Sequence, residues 1–157
     1  MSAPFVLGPG QRHPDLPPTA FGPFIRMASG QTDGHMALME VRLPPLTAGP
    51  NLHVHANEDE MFYVLGGVMT VQVGEDLHDI STGGLAWGAR GTAHAYAKRA
   101  EEPLHLLIQL IPGGTEGLFA EMGTYLQTVV GAPDEAMTAA IMARYGGTRV
   151  GPPISIP

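Results

Sequence analysis

The 157-residue chain contains no cysteine. That excludes disulfides, thiolate-held zinc, iron–sulfur clusters, a haem thiolate and a thiol nucleophile. Charge is also scarce, at 15% of residues where roughly 25% is usual. Lys98 is the only lysine, and eight basic residues stand against fifteen acidic ones. With a net charge of −7 and no basic cluster, nucleic acid is not an expected partner. Long apolar runs are missing too. The strongest, Leu104–Ile111, falls far short of the ~20 residues that span a bilayer. Met1-Ser2-Ala3-Pro4 lacks the basic and then apolar pattern of a signal peptide, so a cytoplasmic location is expected. There is no Gly-x-Ser-x-Gly elbow for a serine hydrolase. Present in their place are seven histidines, 21 glycines and 15 prolines. A hydrophobic content of 44% suffices for the core of one domain over residues 1–157.

Residues 1–23 are rich in Pro and Gly and read as an irregular arm, suited to strand pairing across a dimer. Residues 24–112 read as β-structure. His35–Leu43 alternates apolar and polar, as a half-buried strand does. Further short strands are expected at Asn51–His55, Met61–Leu65, Val68–Val73, Leu77–Ile80, Leu85–Trp87, His94–Lys98 and Leu104–Ile111. Turns separate them at Ala56–Asp59, Gly66-Gly67 and Gly74-Glu75-Asp76. This spacing implies an all-β sandwich or barrel. Residues 113–157 read as helical, with one helix within Gly114–Val130. A second starts at Pro133-Asp134-Glu135 and ends at Gly146-Gly147. Both helices are expected to flank the barrel.

One constellation carries chemistry. His53 and His55 are two apart on a strand and so project from one face. Glu60 opens the returning strand and comes close to them, and His94 starts another strand after the turn at Gly91. Three imidazoles and a carboxylate held on strands suit a first-row divalent ion: iron, manganese, nickel, cobalt or zinc.

These residues resemble the two cupin motifs. The first is His-x-His-x4-Glu-x6-Gly, here His53, His55, Glu60 and Gly67. The second is Gly-x5-Pro-x-Gly-x2-His, here Gly83, Ala89, Gly91 and His94, with Ala in place of Pro. The chain is similar to small single-domain cupins of the quercetin 2,3-dioxygenase type. Leu7-Gly-Pro-Gly10, the Pro-Gly-Gly-x-Glu-x-Leu-Phe run at 112–119 and Arg144-Tyr-Gly with Gly151-Pro-Pro fit that subgroup. The resemblance implies an all-β jelly-roll barrel (a double-stranded β-helix) with an irregular N-terminal arm and two C-terminal flanking helices. It also implies a metal bound by His53, His55, Glu60 and His94, and a homodimer. The implied activity is dioxygenation of a flavonol-like or other enolisable aromatic molecule, with Glu60 as catalytic base and dioxygen as second substrate. A cupin isomerase, cyclase or lyase working without oxygen, and a non-catalytic small-molecule binder, are the alternatives.

Strand parity extends the site. Phe62 and Val64 share the face of Glu60, and Tyr96 shares that of His94, so all three are candidate substrate-lining residues. Lys98 follows on the same face, at the expected rim. Phe119 and Met122 on the first helix are candidates to close the barrel mouth. Met61, Tyr63 and Leu65 face the other way, towards the second sheet or a dimer partner. Trp87 is expected to be a packing residue, and Glu58 and Asp59 to be solvated turn residues. His13, His35, His78 and His105 are assigned structural or exposed positions. The Gly-rich run at 112–117 lacks a Walker Lys-Ser/Thr and reads as a strand-to-helix turn.

Overall fold

The computed structural model describes residues 3–16 and 22–157. The expected arm therefore falls partly outside the described residues, and its described part contains no strand. The strands begin at β1 (Phe24–Met27) and β2 (Ala37–Leu43), followed by β3 (Thr47–Ala48), β4 (Asn51–His55) and β5 (Asp59–Gly66). Then come β6 (Val68–Val73), β7 (Asp76–Ser81), β8 (Leu85–Gly88), β9 (His94–Lys98) and β10 (Leu104–Ile111). Helices α1 (Gly117–Leu126) and α2 (Glu135–Arg144) precede a last strand, β11 (Gly147–Pro153).

The strands form two antiparallel sheets, ordered β1-β2-β10-β5-β8 and β11-β4-β9-β6-β7, with β3 paired to β9. Neighbours within a sheet are mostly distant in sequence, so the chain crosses repeatedly between sheets, as in a jelly roll. Strict alternation along β10 buries Leu104, Leu106, Ile108 and Leu110, and these meet Phe62, Val64, Met69 and Val71 in the core. Gly67 closes the turn between β5 and β6 at φ +82°, and a Cβ there would lie 2.3 Å from the Pro103 carbonyl oxygen. Only glycine fits that turn.

The tail differs from its expected form in one respect. The two helices are present, and Asp134 caps α2 by accepting the Met137 N–H at 2.8 Å. But residues 147–153 are a strand, not a helical tail. β11 pairs with β4, setting Gly147 opposite His55 and Arg149 opposite His53. It ends its sheet, most of its residues are exposed, and it finishes in two prolines. No alternating apolar pattern marks such an edge strand. β1 likewise has no separate signal. Two side chains depart from expectation. Trp87 stands on the outer face of β8, 45% exposed, because its inward neighbours are Ala86 and Gly88. Lys98 is not at a solvated rim but fully buried, its Nζ 3.4 Å from Glu102 Oε2.

The run at 112–117 is the strand-to-helix turn expected. Buried Glu116 accepts the backbone N–H of Ser29 and of Gly114, each at 2.6 Å. Among the described residues no helix is long and apolar enough to cross a membrane.

Leu106 lies at the centre of β10, between β2 and β5, with no exposed surface. Leu106→Ala is expected to lower the unfolding free energy by about 2–5 kcal/mol, read from urea midpoints. A loss below about 1 kcal/mol would contradict this placement of the core.

Candidate metal centre

β4 and β9 lie side by side with His53 opposite His94, and β5 brings Glu60 in from the facing sheet. The ligand-type atoms of His53, His55, Glu60 and His94 all fall within 4.8 Å of one another, and all four residues are buried. His53 Nε2 is 3.1 Å from His55 Nε2. Glu60 Oε2 is 3.0 Å from both His55 Nε2 and His94 Nε2. Each Nδ1 points outward to an acceptor: His53 to the Asn51 carbonyl at 2.6 Å, and His94 to the Thr92 carbonyl at 3.0 Å. The third, on His55, lies 2.5 Å from Glu58 Oε1. A carbonyl can only accept, so a neutral His53 or His94 holds its one proton on Nδ1, which leaves Nε2 as the inward-facing metal donor. Inward lone pairs, a carboxylate and outward-braced imidazoles are the donor set and supporting shell of a divalent transition metal. These residues fit such an ion.

The backbone around the centre is tightly constrained. Gly88 sits beside His94, and a Cβ there would come 2.8 Å from Nδ1. The turn bearing Ala89 is pinned by other means than a proline. Arg90 bonds both carboxylate oxygens of Asp59, at 3.2 and 2.8 Å. The Gly91 N–H donates to the His55 carbonyl at 2.8 Å.

Protonation in the metal-free chain follows from these contacts. Burial lowers His53 to about 4, overcoming the attraction of Glu60. Burial also opposes charge on His55, but Glu58 and Glu60 outweigh it and raise His55 to about 9. Burial would raise Glu60, yet His55 and His94 hold it down to about 2. At neutral pH His55 therefore carries a proton that a metal must displace.

The remaining sequence-derived candidates separate into groups. Phe62, Val64, Tyr96 and Phe119 meet in the interior cluster. The Phe62 ring is 5.8 Å from His94 and 5.5 Å from Tyr96. Burial, with the negative charge of Glu60, pushes the Tyr96 phenol up and keeps it a neutral donor. Met122 is buried on α1, outside that cluster. His35 and His78 are exposed, His105 pairs with Glu40 at 3.1 Å, and His13 packs edge-on against Phe5. Asp59 is held by Arg90 rather than solvated. Glu58 is the residue that sequence reasoning misses: it is only 3% exposed and touches His55. Its place in an acidic run beside a turn signals solvent, and only its three-residue spacing from His55 hints otherwise.

Fold and site together define a jelly-roll barrel with a buried three-histidine, one-glutamate centre. Residues 39–109, a little under half of the chain, match the family model described as Cupin domain. No curated protein matches the sequence. Among solved structures, TT1209 from Thermus thermophilus is 25% identical with TM-score 0.52, over 59% of this chain and 83% of that one. KdgF from Halomonas sp. is 17% identical with TM-score 0.53, over 60% and 81%. A structure described as a predicted oxalate decarboxylase from Thermotoga maritima is 17% identical with TM-score 0.53, over 59% and 94%. The last two likenesses bear on the fold alone.

Because His55 titrates at about 9 and His53 at about 4, metal uptake at pH 7 is expected to release about one proton. Affinity should rise about tenfold per pH unit between neutrality and about 9, then level off. Calorimetric titration in buffers of different ionisation enthalpy measures this. Uptake without proton release would contradict the assignment.

Proposed function

We propose that this chain is a metal-dependent cupin enzyme of the dioxygenase type, acting on a flavonol-like or other enolisable aromatic molecule with dioxygen as co-substrate. One observation carries the reading. The carboxylate of Glu60 is braced between two imidazoles beside an aromatic wall of Phe62 and Tyr96. The subgroup motifs at 7–10, 112–119 and 144–153 support the oxygenase assignment.

A divalent ion held by His53, His55, Glu60 and His94 would act as a Lewis acid and lower the pKa of a substrate hydroxyl. The other steps belong to the chain. Only Oε2 of Glu60 contacts the imidazoles, which leaves Oε1 to take the hydroxyl proton as general base. Phe62 and Val64 offer flat apolar surface to a ring system. Tyr96, kept neutral, donates a hydrogen bond to a substrate oxygen. Phe119, which packs against the interior cluster from α1, closes the substrate side and excludes water.

The same reading includes a homodimer. On the outer face of the first sheet, Met61 pairs with Trp87 and Tyr63 with Leu85. Leu65, Leu85 and Trp87 are 40–52% exposed there, an apolar patch suited to a second copy.

Glu60→Gln is expected to retain much of the metal, by elemental analysis, while turnover of a flavonol panel falls at least about 100-fold. Wild-type turnover should stop under strict anaerobiosis. Turnover that survives there would replace the dioxygenase reading with an isomerase or lyase. Separately, light scattering should give a dimer for the wild type and a monomer for Leu85→Glu. A monomeric wild type would overturn the dimer.

A further inference from the structure

We infer that Glu58 is a positioning residue for the metal centre, fixing His55 with its Nε2 lone pair inward, and that Thr115 fixes Glu58 in turn. The inference rests on the metal-centre reading above and adds a residue outside the ligand set.

His53 and His94 solve the problem of ring orientation locally. Each pairs its Nδ1 with the carbonyl two residues earlier on its own chain segment. His55 ends β4 and has no such partner. Its Nδ1 faces Glu58 Oε1 instead. A carboxylate in this position does two things that a carbonyl does less well. It holds the proton on Nδ1 more firmly, because the partner 2.5 Å away is a full negative charge rather than a dipole. It also makes Nε2 a stronger donor towards a metal.

The burial of Glu58 argues the same way. A carboxylate serving only a surface turn would stay in water, since desolvating an ion is costly unless it is paired. Glu58 is buried nonetheless, and its polar contacts are His55 and the hydroxyl of Thr115. Thr115 donates to the same Oε1 that faces His55. Its hydroxyl also lies 3.3 Å from the Tyr145 carbonyl at the end of α2. The Ala56 N–H donates to the Gly146 carbonyl at 2.9 Å, so the loop bearing Glu58 is gripped twice by the C-terminal segment. A relay of contacts thus runs from the ligand His55 through Glu58 and Thr115 to the end of α2.

The test is cobalt(II) titration of the full-length chain, followed by visible absorption. It is paired with 15N imidazole NMR of the zinc-loaded chain and melting curves of the metal-free chain. Loss of a supporting group of this kind weakens metal binding roughly 10–100-fold. Glu58→Ala is expected near the upper end, with the His55 Nδ1–H signal lost to exchange. Glu58→Gln keeps an acceptor oxygen and should lie near the lower end, with that signal retained. Thr115→Val, which touches no ligand, should weaken cobalt binding by less, in the same direction. Metal-free melting of Glu58→Gln and Thr115→Val should stay close to wild type, so the affinity change is not a folding defect. If Glu58→Ala does not fold, Glu58→Gln decides, and undiminished cobalt affinity in that variant overturns the role of Glu58. A wild-type chain that takes up no cobalt overturns the metal centre itself, and this inference with it.

Discussion

The structure turns on one electrostatic constraint: three imidazoles and a carboxylate must converge inside an apolar barrel. At 3.0–3.1 Å their facing atoms need a shared positive charge between them. In the metal-free chain a proton on His55 supplies it: burial lowers His53, while on His55 the two glutamates Glu58 and Glu60 outweigh burial. The strand register serves the same constraint. His53 stands opposite His94 across one sheet, and Glu60 stands opposite Gly88 across the other. A side chain at Gly88 would displace the His94 ring. Period-two geometry does the rest, since the residues that aim the ligands inward also aim Phe62, Val64 and Tyr96 inward.

The C-terminal segment is part of this arrangement rather than an appendage to it. β11 lies along β4, the strand that carries two of the four ligands. The end of α2 and the start of α1 grip the Ala56–Glu58 loop through Gly146 and Thr115. A barrel ending at Ile111 would leave Glu58 without Thr115 and the outer edge of β4 unpaired, with its N–H and C=O groups open to solvent.

Much of this is legible in the sequence, for definite reasons. Alternation along β2 and β10 marks half-buried strands, and the His-x-His pair on a strand has only one way to face. Glu60 at the start of the returning strand and His94 after the Gly91 turn complete the ligand set, and the resemblance to the two cupin motifs groups the same four residues. Less legible are the features whose physics is non-local. β11 has no inward apolar face, so no period reveals it. Trp87 looks like a core residue by size, but the parity of β8 turns it outward. Glu58 lies among acidic neighbours that normally seek water, and only the arrival of Thr115 from 57 positions away closes over it. Lys98 is the same case in reverse: a cation on an inward parity, buried because Glu102 comes within 3.4 Å of it.

Lys98 also shows why the interior can remain apolar near the centre. It lies on β9 on the same face as His94 and Tyr96, but four residues along the strand, about 13 Å from His94 by strand rise. Its charge is met by Glu102, beyond the end of β9. The acidic centre and the buried ammonium are therefore kept apart along one strand, with Tyr96 between them as an uncharged group. Tyr96 packs against the core cluster that includes Met69, Val64 and Leu104. A chain with a single lysine and few charges can support such an interior because the buried charges near the centre are met by nearby groups. The ligands have one another and Glu58, and Lys98 has Glu102. Between these two ends the interior is aromatic and aliphatic, with Phe62, Val64 and Tyr96 in one cluster, so the strand that carries a ligand of the centre also carries the buried ammonium without placing another charge between them.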